Sequence, residues 1–249
     1  MKAVILCAGK GERLRPLTDK IPKPMIPINN RPMLEYIILL CEKNGIKEVW
    51  IDVSYLSDII KNYFGNGEKF AVKINYPSNE EPIGTSGILN KFKEDLKKEP
   101  FFVIYGDNLT NLNLANMKKA HEKNKAFCTI YLYHEQMADK NTTPGCVIVD
   151  EKSFVKKIIE RPNSEQKKII DNLPSNRKFT NSGIYIVDPR IFDFIPEGYS
   201  DFAKDIFPEV LKKKFKIYGY QEDCYIREVG QMHRYLKAKE EIESGKIVL

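Results

Sequence analysis

The sequence predicts an α/β protein in which helices flank a mixed, mainly parallel sheet. Three observations carry that reading. Val4–Cys7 is a short continuous apolar run, the pattern of a strand covered on both faces. Between there and residue 105, strand and helix patterns alternate at the spacing of βαβ units. From about residue 126 the rhythm changes to short strands separated by turns, which predicts an antiparallel part packed beside the parallel sheet.

In chain order, a glycine- and proline-rich loop follows the first strand. Pro32 sits at a first helical position, Leu34, Ile37, Ile38 and Cys41 recur at i, i+3, i+4 and i+7, and Gly45 ends the helix. Glu48–Val53 reads as a strand, and Leu56, Ile59, Ile60, Tyr63 and Phe64 mark a second helix stopped at Gly65 and Gly67. Alternation of Phe70, Val72, Ile74 and Tyr76 gives a strand, 86–98 a helix, and Phe101–Tyr105 a strand that stops at Gly106. Strands then follow at Ala126–Tyr133, Cys146–Val149, Phe154–Ile159 and Ser182–Val187, with a hairpin turn at 150–153. Residues 163–179, rich in Asn, Ser and Lys, read as a mobile loop. Helices near 200–212 and 231–244 alternate with strands at Phe215–Tyr220 and Tyr225–Val229. Chain 1–249 thus reads as one composite domain, in parts 1–125, 126–230 and 231–249.

Composition excludes several classes. With 42% hydrophobic and 30% charged residues the chain lies well away from the disordered corner. No apolar run approaches the ~20 residues of a membrane span, and no signal-peptide layout opens the chain, so a cytoplasmic protein without membrane contact is expected. The five cysteines include no C-x-x-C pair, and His121, His134 and His233 lie apart, which argues against disulfides and zinc. The net charge of +6 is locally concentrated: Lys2, Lys10, Arg13, Arg15, Lys20 and Lys23 face only Glu12 and Asp19 in the first 24 residues. Such a cluster beside glycines suits a small anionic ligand better than a nucleic-acid face.

The opening loop fits neither common phosphate motif. In Gly9-Lys10-Gly11-Glu12-Arg13-Leu14, Leu14 occupies the third glycine position of a dinucleotide fingerprint, and no Gly-Lys-Ser/Thr follows. The chemistry nevertheless suits polyphosphate. Gly9 and Gly11 allow close approach of backbone N–H groups. Arg13 offers a bidentate grip, and Lys23, stiffened between Pro22 and Pro24, a fixed point charge.

The stretch GKGERLRPLT followed by PKPMIPI resembles the motif of the sugar-1-phosphate nucleotidylyltransferases. Further matches run in family order: Glu81-Pro82-Ile83-Gly84-Thr85-Ser86-Gly87, Gly106-Asp107, Glu160-Arg161-Pro162, Asn181-Ser182-Gly183 and Glu228-Val229-Gly230. The resemblance spans residues 1 to about 240. It implies a Rossmann-like fold with an antiparallel sugar-binding insertion, and no C-terminal β-helix is expected because the chain ends soon after its last helix. It also implies NTP and sugar 1-phosphate as partners, Mg²⁺ as cofactor, and compatibility with a homo-oligomer.

Residue by residue, the resemblance implies catalytic roles for Arg13, at the triphosphate, and Lys23, at the α-phosphate. Leu6, Ala8, Gly9, Gly11, Pro82, Gly84, Thr85, Gly87 and Asp107 complete the implied nucleotide site. Gly145, Glu160, Arg161, Asn181 and Gly183 are the implied sugar-phosphate site, and Asp107 and Glu228 the metal ligands. The sequence departs from the pattern at four places, one of them Gln231-Met232 where the family usually has Thr-Pro. Glu12 replaces a threonine and needs solvent or a cationic partner, Arg15 or Lys10. Arg161 replaces a lysine. Glu228 replaces an aspartate, with an ion pair to Arg227 or Arg234 as the competing role.

The style of the motifs leans towards GTP with mannose 1-phosphate or a heptose 1-phosphate, with uridylyl, thymidylyl or cytidylyl transfer as alternatives. A non-catalytic nucleotide sensor, a cytidylyltransferase acting on a phosphorylated alcohol and an NAD-dependent oxidoreductase remain as rivals. Retention of Lys23 and Asp107 speaks against the first, the later motifs against the second, and the absent third glycine against the last.

Overall fold

The computed structural model describes residues 1–77, 83–134 and 145–249. Four parallel strands form one side of a nine-stranded sheet, running to its edge: β1 (Ala3–Leu6), β4 (Glu48–Asp52), β5 (Lys73–Asn75) and β6 (Phe101–Tyr105), ordered β5-β4-β1-β6. A two-stranded ribbon, β2 (Pro27–Ile28) with β3 (Arg31–Pro32), precedes helix α1 (Met33–Lys43). Helix α2 (Ser57–Phe64), the short helix α3 (Lys93–Leu96) and α4 (Leu114–Asn124) lie on the sheet faces.

The antiparallel strands extend this same sheet instead of packing beside it. β11 (Lys178–Val187) runs antiparallel to β6 along one edge and pairs on the other with β8 (Cys128–Tyr133) and β9 (Cys146–Val149). β10 (Val155–Ile159) closes the hairpin with β9, and β12 (Ile217–Tyr220) pairs parallel to β8. A separate ribbon joins β7 (Asn108–Thr110) to β13 (Ile226–Glu228) and sets Glu228 opposite Asn108. That register brings residues 107 and 228 together.

Side chains alternate across the central strands, as the period-2 rule requires. Ala3, Ile5, Phe102 and Ile104 bury one face against α1, α2 and α4, while Val4, Phe101 and Val103 bury the other against Ile88, Leu89, Phe202 and Phe207. A third cluster is specific to the site. Tyr235, Ala238 and Ile242 of α7 (Met232–Glu243) pack on Leu14, Ile26 and Ile28 of the opening loop. The Tyr235 hydroxyl donates to the Pro27 carbonyl at 2.9 Å. Arg227 holds Glu241 of the same helix through two donors at 2.9 and 3.0 Å.

Five expectations need correction. Helix α1 starts one residue after Pro32, whose ψ of 142° is extended. The strand expected from Phe70 shrinks to Lys73–Asn75, because Glu68–Phe70 winds as a 3₁₀ turn and Ala71 takes φ 45°. Residues 87–92 are 3₁₀ before α3 begins, and the Gly87 N–H at their start donates to the Ser200 carbonyl. Within 163–179 lies helix α5 (Ser164–Asp171), opened by a reciprocal cap between Asn163 and Gln166. The helical segment expected near 200–212 is a π-helical stretch, Phe202–Ile206, running into α6 (Phe207–Lys212). After α7 no β-helix coils follow among the described residues, none of whose helices is long and apolar enough to cross a membrane.

Candidate active site

Parallel strands end in a crevice at their carboxyl side, where adjacent loops diverge. Here β1 ends at Leu6, β4 at Asp52 and β6 at Tyr105, and a cavity of about 680 Å³ opens beyond them. Its lining includes the predicted Leu6, Ala8, Gly9, Gly11, Arg13, Lys23, Gly84, Thr85 and Asp107. Pro82 lies outside the described residues. Gly87 does not line the cavity; a Cβ there would stand 2.4 Å from the Gly198 carbonyl, so its place is close packing behind the loop.

The loop geometry explains the glycines that matter. Gly11 has φ 68°, and a Cβ on it would come within 2.9 Å of both Lys23 Cβ and Thr18 Cγ2. Its carbonyl accepts from the Thr18 hydroxyl at 2.9 Å. Gly11 thus brings the two halves of the loop, and with them Arg13 and Lys23, into one layer. Glu12 is exposed, which resolves the threonine departure in favour of solvent, while Arg15 pairs with Asp19 at 3.3 Å.

The charged groups converge. The Lys23 ammonium donates to Asp107 Oδ2, with both side chains largely covered. Glu228 Oε2 accepts from Arg234 Nη1 at 2.8 Å, and Glu228 Oε1 lies 3.8 Å from Arg13 Nη2. Arg227 is committed to Glu241, so Arg234 is the partner the sequence left undecided. Burial first, and then the Asp107 charge, push the Glu228 carboxyl above its ordinary value, against Lys23, Arg234 and Arg13. Burial also pushes the Cys7 thiol well up, with Asp52 and Asp107 adding to the effect, so this cavity-lining thiol stays protonated.

The residues expected at a sugar phosphate lie on β11 and around β9 and β10, with Gly183 packed on Tyr105. Gly183, at φ 75°, leaves no room for a side chain, since a Cβ would stand 2.7 Å from the Tyr105 ring. Asn181 accepts the Gly183 N–H at 3.0 Å and donates to the Tyr185 hydroxyl at 3.0 Å. Gly145 leaves room for the Glu160 carboxylate, which a Cβ would approach to 2.9 Å. Arg161, next along the chain, adopts φ 48°. Asp201 links Thr85 to Glu160: its Oδ2 accepts from the Thr85 hydroxyl at 2.9 Å, and its charge reaches Glu160.

Burial, then Asp201, raises the Glu160 carboxyl, opposed by Lys204 and Arg161. Between the unfolded and the raised folded value the native state holds more protons, so this group costs stability as pH rises. Glu160→Gln is therefore expected to raise the melting temperature at pH 7, and the gain to shrink as pH falls through the raised folded value and to vanish once pH is below the range where free glutamate titrates. Thermal melts from pH 4 to 8 check this; a variant less stable than wild type at pH 7 would contradict the assignment of strain to this carboxylate.

Several cavity residues escaped the sequence reading. Lys10 was noted there only as charge, whereas Cys7, Asp52, Tyr105 and Tyr199 were assigned no place in the site. The strand-end positions of Asp52 and Tyr105 were the available signal, because carboxyl ends of parallel strands face the crevice. Nothing in the local pattern around Tyr199 announced it.

An α/β sheet with a glycine loop, paired cations and two carboxylates at its strand ends defines a nucleotide-handling protein. Residues 2–245 match the nucleotidyl transferase family, and the chain belongs to it. It is 36% identical to the D-glycero-alpha-D-manno-heptose 1-phosphate guanylyltransferase of Campylobacter jejuni, over 94% of this chain and 97% of that protein. Identity to the enzyme of the same name from Aneurinibacillus thermoaerophilus is 32%, over 98% and 99%. It is 31% identical to the UTP–glucose-1-phosphate uridylyltransferase of Synechocystis, where it covers 99% of this chain but spans only 64% of that protein. In fold it matches a UDP-glucose pyrophosphorylase crystal structure with a TM-score of 0.79 at 22% identity, covering 98% of both chains.

Proposed function

We propose that the protein transfers a nucleoside monophosphate from an NTP to a sugar 1-phosphate, releasing pyrophosphate, with GTP and a mannose- or heptose-type 1-phosphate as the preferred pair. The observation that carries the reaction is the convergence of Arg13, Lys23 and Asp107 on one cavity, with Glu228 beside it, 3.8 Å from Arg13. The near full-length likeness to two heptose 1-phosphate guanylyltransferases supports the substrate pair. The likeness to a uridylyltransferase supports UTP as the second reading.

The acceptor phosphate needs no protein nucleophile, because a phosphate monoester with a second pKa of about 6 is largely ionised at neutral pH. An acceptor oxygen attacks the α-phosphorus in line, the bond to the β-phosphate oxygen breaks, and pyrophosphate leaves. What remains for the protein is positioning and neutralisation of charge. Lys23 meets the α-phosphate, releasing Asp107 from its ion pair. Arg13, exposed at the rim, holds the departing pyrophosphate. Glu160 accepts from sugar hydroxyls, Asn181 and the backbone around Gly183 shape the sugar pocket, and Arg161 meets the sugar phosphate.

Asp107 and Glu228 fit a divalent cation. They are hard oxygen donors on adjoining segments whose mutual repulsion already raises the Glu228 carboxyl. Mg²⁺, held by these two together with phosphate oxygens and water, would supply charge neutralisation. Among the described residues no group of three or more His, Cys, Asp and Glu side chains is placed to hold a metal.

The test is pyrophosphate release across GTP, UTP, dTTP, CTP and ATP against mannose, heptose and glucose 1-phosphates. GTP with one of the first two is the expected dominant pair. Dominance of UTP with glucose 1-phosphate would replace the substrate reading, and release from no pair by folded, nucleotide-binding protein would overturn the reaction.

A further inference from the structure

Tyr199 is the most exposed tyrosine among the described large hydrophobics, with 68% of its surface open, and it also lines the cavity. A scattered exposed tyrosine needs no explanation. This one differs because its backbone is fixed. Ser200 accepts from the Ser86 and Gly87 N–H groups at 3.1 and 3.3 Å and donates to the Ile83 carbonyl at 3.1 Å. The Ser86 and Ser200 hydroxyls, both buried, share a hydrogen bond of 2.8 Å. Gly84, at φ 84°, permits this contact, since any Cβ there would lie 2.1 Å from the Ser200 carbonyl. The loop carrying Tyr199 is thus sewn to the segment 83–87, and Tyr199 shares the cavity lining with Ile83 and Gly84.

The cavity lining is chemically mixed: Lys10, Arg13 and Lys23 bring positive charge, and Leu6, Ile83 and Tyr199 bring apolar surface. A triphosphate suits the first set and a flat, weakly polar ring the second. We infer that Tyr199 stacks on the nucleobase of the bound NTP, forming the outer wall of a base slot whose inner wall is the Ile83–Thr85 backbone. This rests on the proposed function and adds a binding residue that neither glycine nor charge patterns indicate. A tyrosine on a backbone-anchored loop loses little freedom on binding, since it has only two side-chain torsions. Stacking on an aromatic face tolerates every base, so Tyr199 contributes affinity for the nucleotide and little choice among bases.

The test is calorimetric titration of wild type, Tyr199→Phe and Tyr199→Ala with GTP, UTP and inorganic tripolyphosphate, alongside KM for both substrates. Stacking is worth about 1–3 kcal/mol per base, so Tyr199→Ala is expected to weaken both nucleotides by roughly 5- to 150-fold. Tripolyphosphate affinity is expected to stay unchanged, and Tyr199→Phe to retain nucleotide affinity within about threefold. The exposed position makes loss of folding in either variant unexpected, and a thermal melt verifies it. Nucleotide affinity unaffected by Tyr199→Ala, a parallel loss for tripolyphosphate, or a rise in KM for the sugar phosphate alone would overturn the stacking. A wild-type protein that binds tripolyphosphate but neither nucleotide would instead overturn the nucleotidyl-transfer reading beneath it.

Discussion

Replacing Asp107 with asparagine is expected to lower pyrophosphate release ~10²-fold or more, the scale seen when one preorganised electrostatic contact is lost at a reacting centre. Asparagine keeps the volume and one acceptor but removes the charge that Lys23 holds and that a divalent cation would share with Glu228. The fold should survive, since losing a hydrogen bond to a charged group costs about 1.5–3 kcal/mol. Two readouts separate the roles: kcat at saturating NTP, and the concentration of Mg²⁺ giving half-maximal rate. Unchanged turnover with unchanged Mg²⁺ dependence would remove Asp107 from the proposed site.

Gly230→Ala is expected to cost at least tenfold in rate while leaving stability nearly unchanged. A Cβ at residue 230 would stand 1.8 Å from Glu228 Oε1 and 3.0 Å from Arg13 Nη2. Both atoms belong to the ends of flexible side chains, so the methyl group displaces them without straining the backbone. The carboxylate would then leave the position where Arg234 holds one oxygen and Arg13 approaches the other. The longer side chain of Glu228 in place of the family aspartate is accommodated by the space over Gly230. Circular dichroism melts alongside kinetics decide the matter: a large loss of stability, or full activity, would contradict this account.

How much of this was legible beforehand varies with the physics involved. The central strands were readable because a strand covered on both faces has a continuous apolar run, and α1 because its buried stripe repeats at helical spacing. Helix α5 was missed because none of its residues is buried, so no apolar stripe marks it; its only signal was the Asn163–Gln166 cap. Helix α4 received no assignment, although Leu114, Met117 and His121 are its buried face and Asn113 caps it by accepting from the Asn116 N–H. The continuous sheet was not readable, because which edge β11 joins is decided by pairing across more than 70 residues.

The site divides in the same way. Arg13, Lys23 and Asp107 lie in short motifs whose residue types state their chemistry, and the fold brings them to one cavity. Arg234 and Tyr199 do not, because each owes its place to tertiary contacts: Arg234 to the packing of α7, Tyr199 to the hydrogen bonds of Ser200. Gly87 illustrates the reverse case, a motif glycine whose position is explained by the Gly198 carbonyl pressed against it.

The packing of α7 on the opening loop has a consequence for biosynthesis. Lys23 leaves the ribosome early, but the helix that braces its loop, with Arg234, follows about 200 residues later. At roughly 5–20 residues per second that delay is on the order of 10–40 s. Throughout it the nascent chain carries a cationic loop without the carboxylate and arginine contributed by residues 228 and 234. Truncated chains are therefore expected to be catalytically silent, and the cell's nucleotide pool is spared half-made copies of the site.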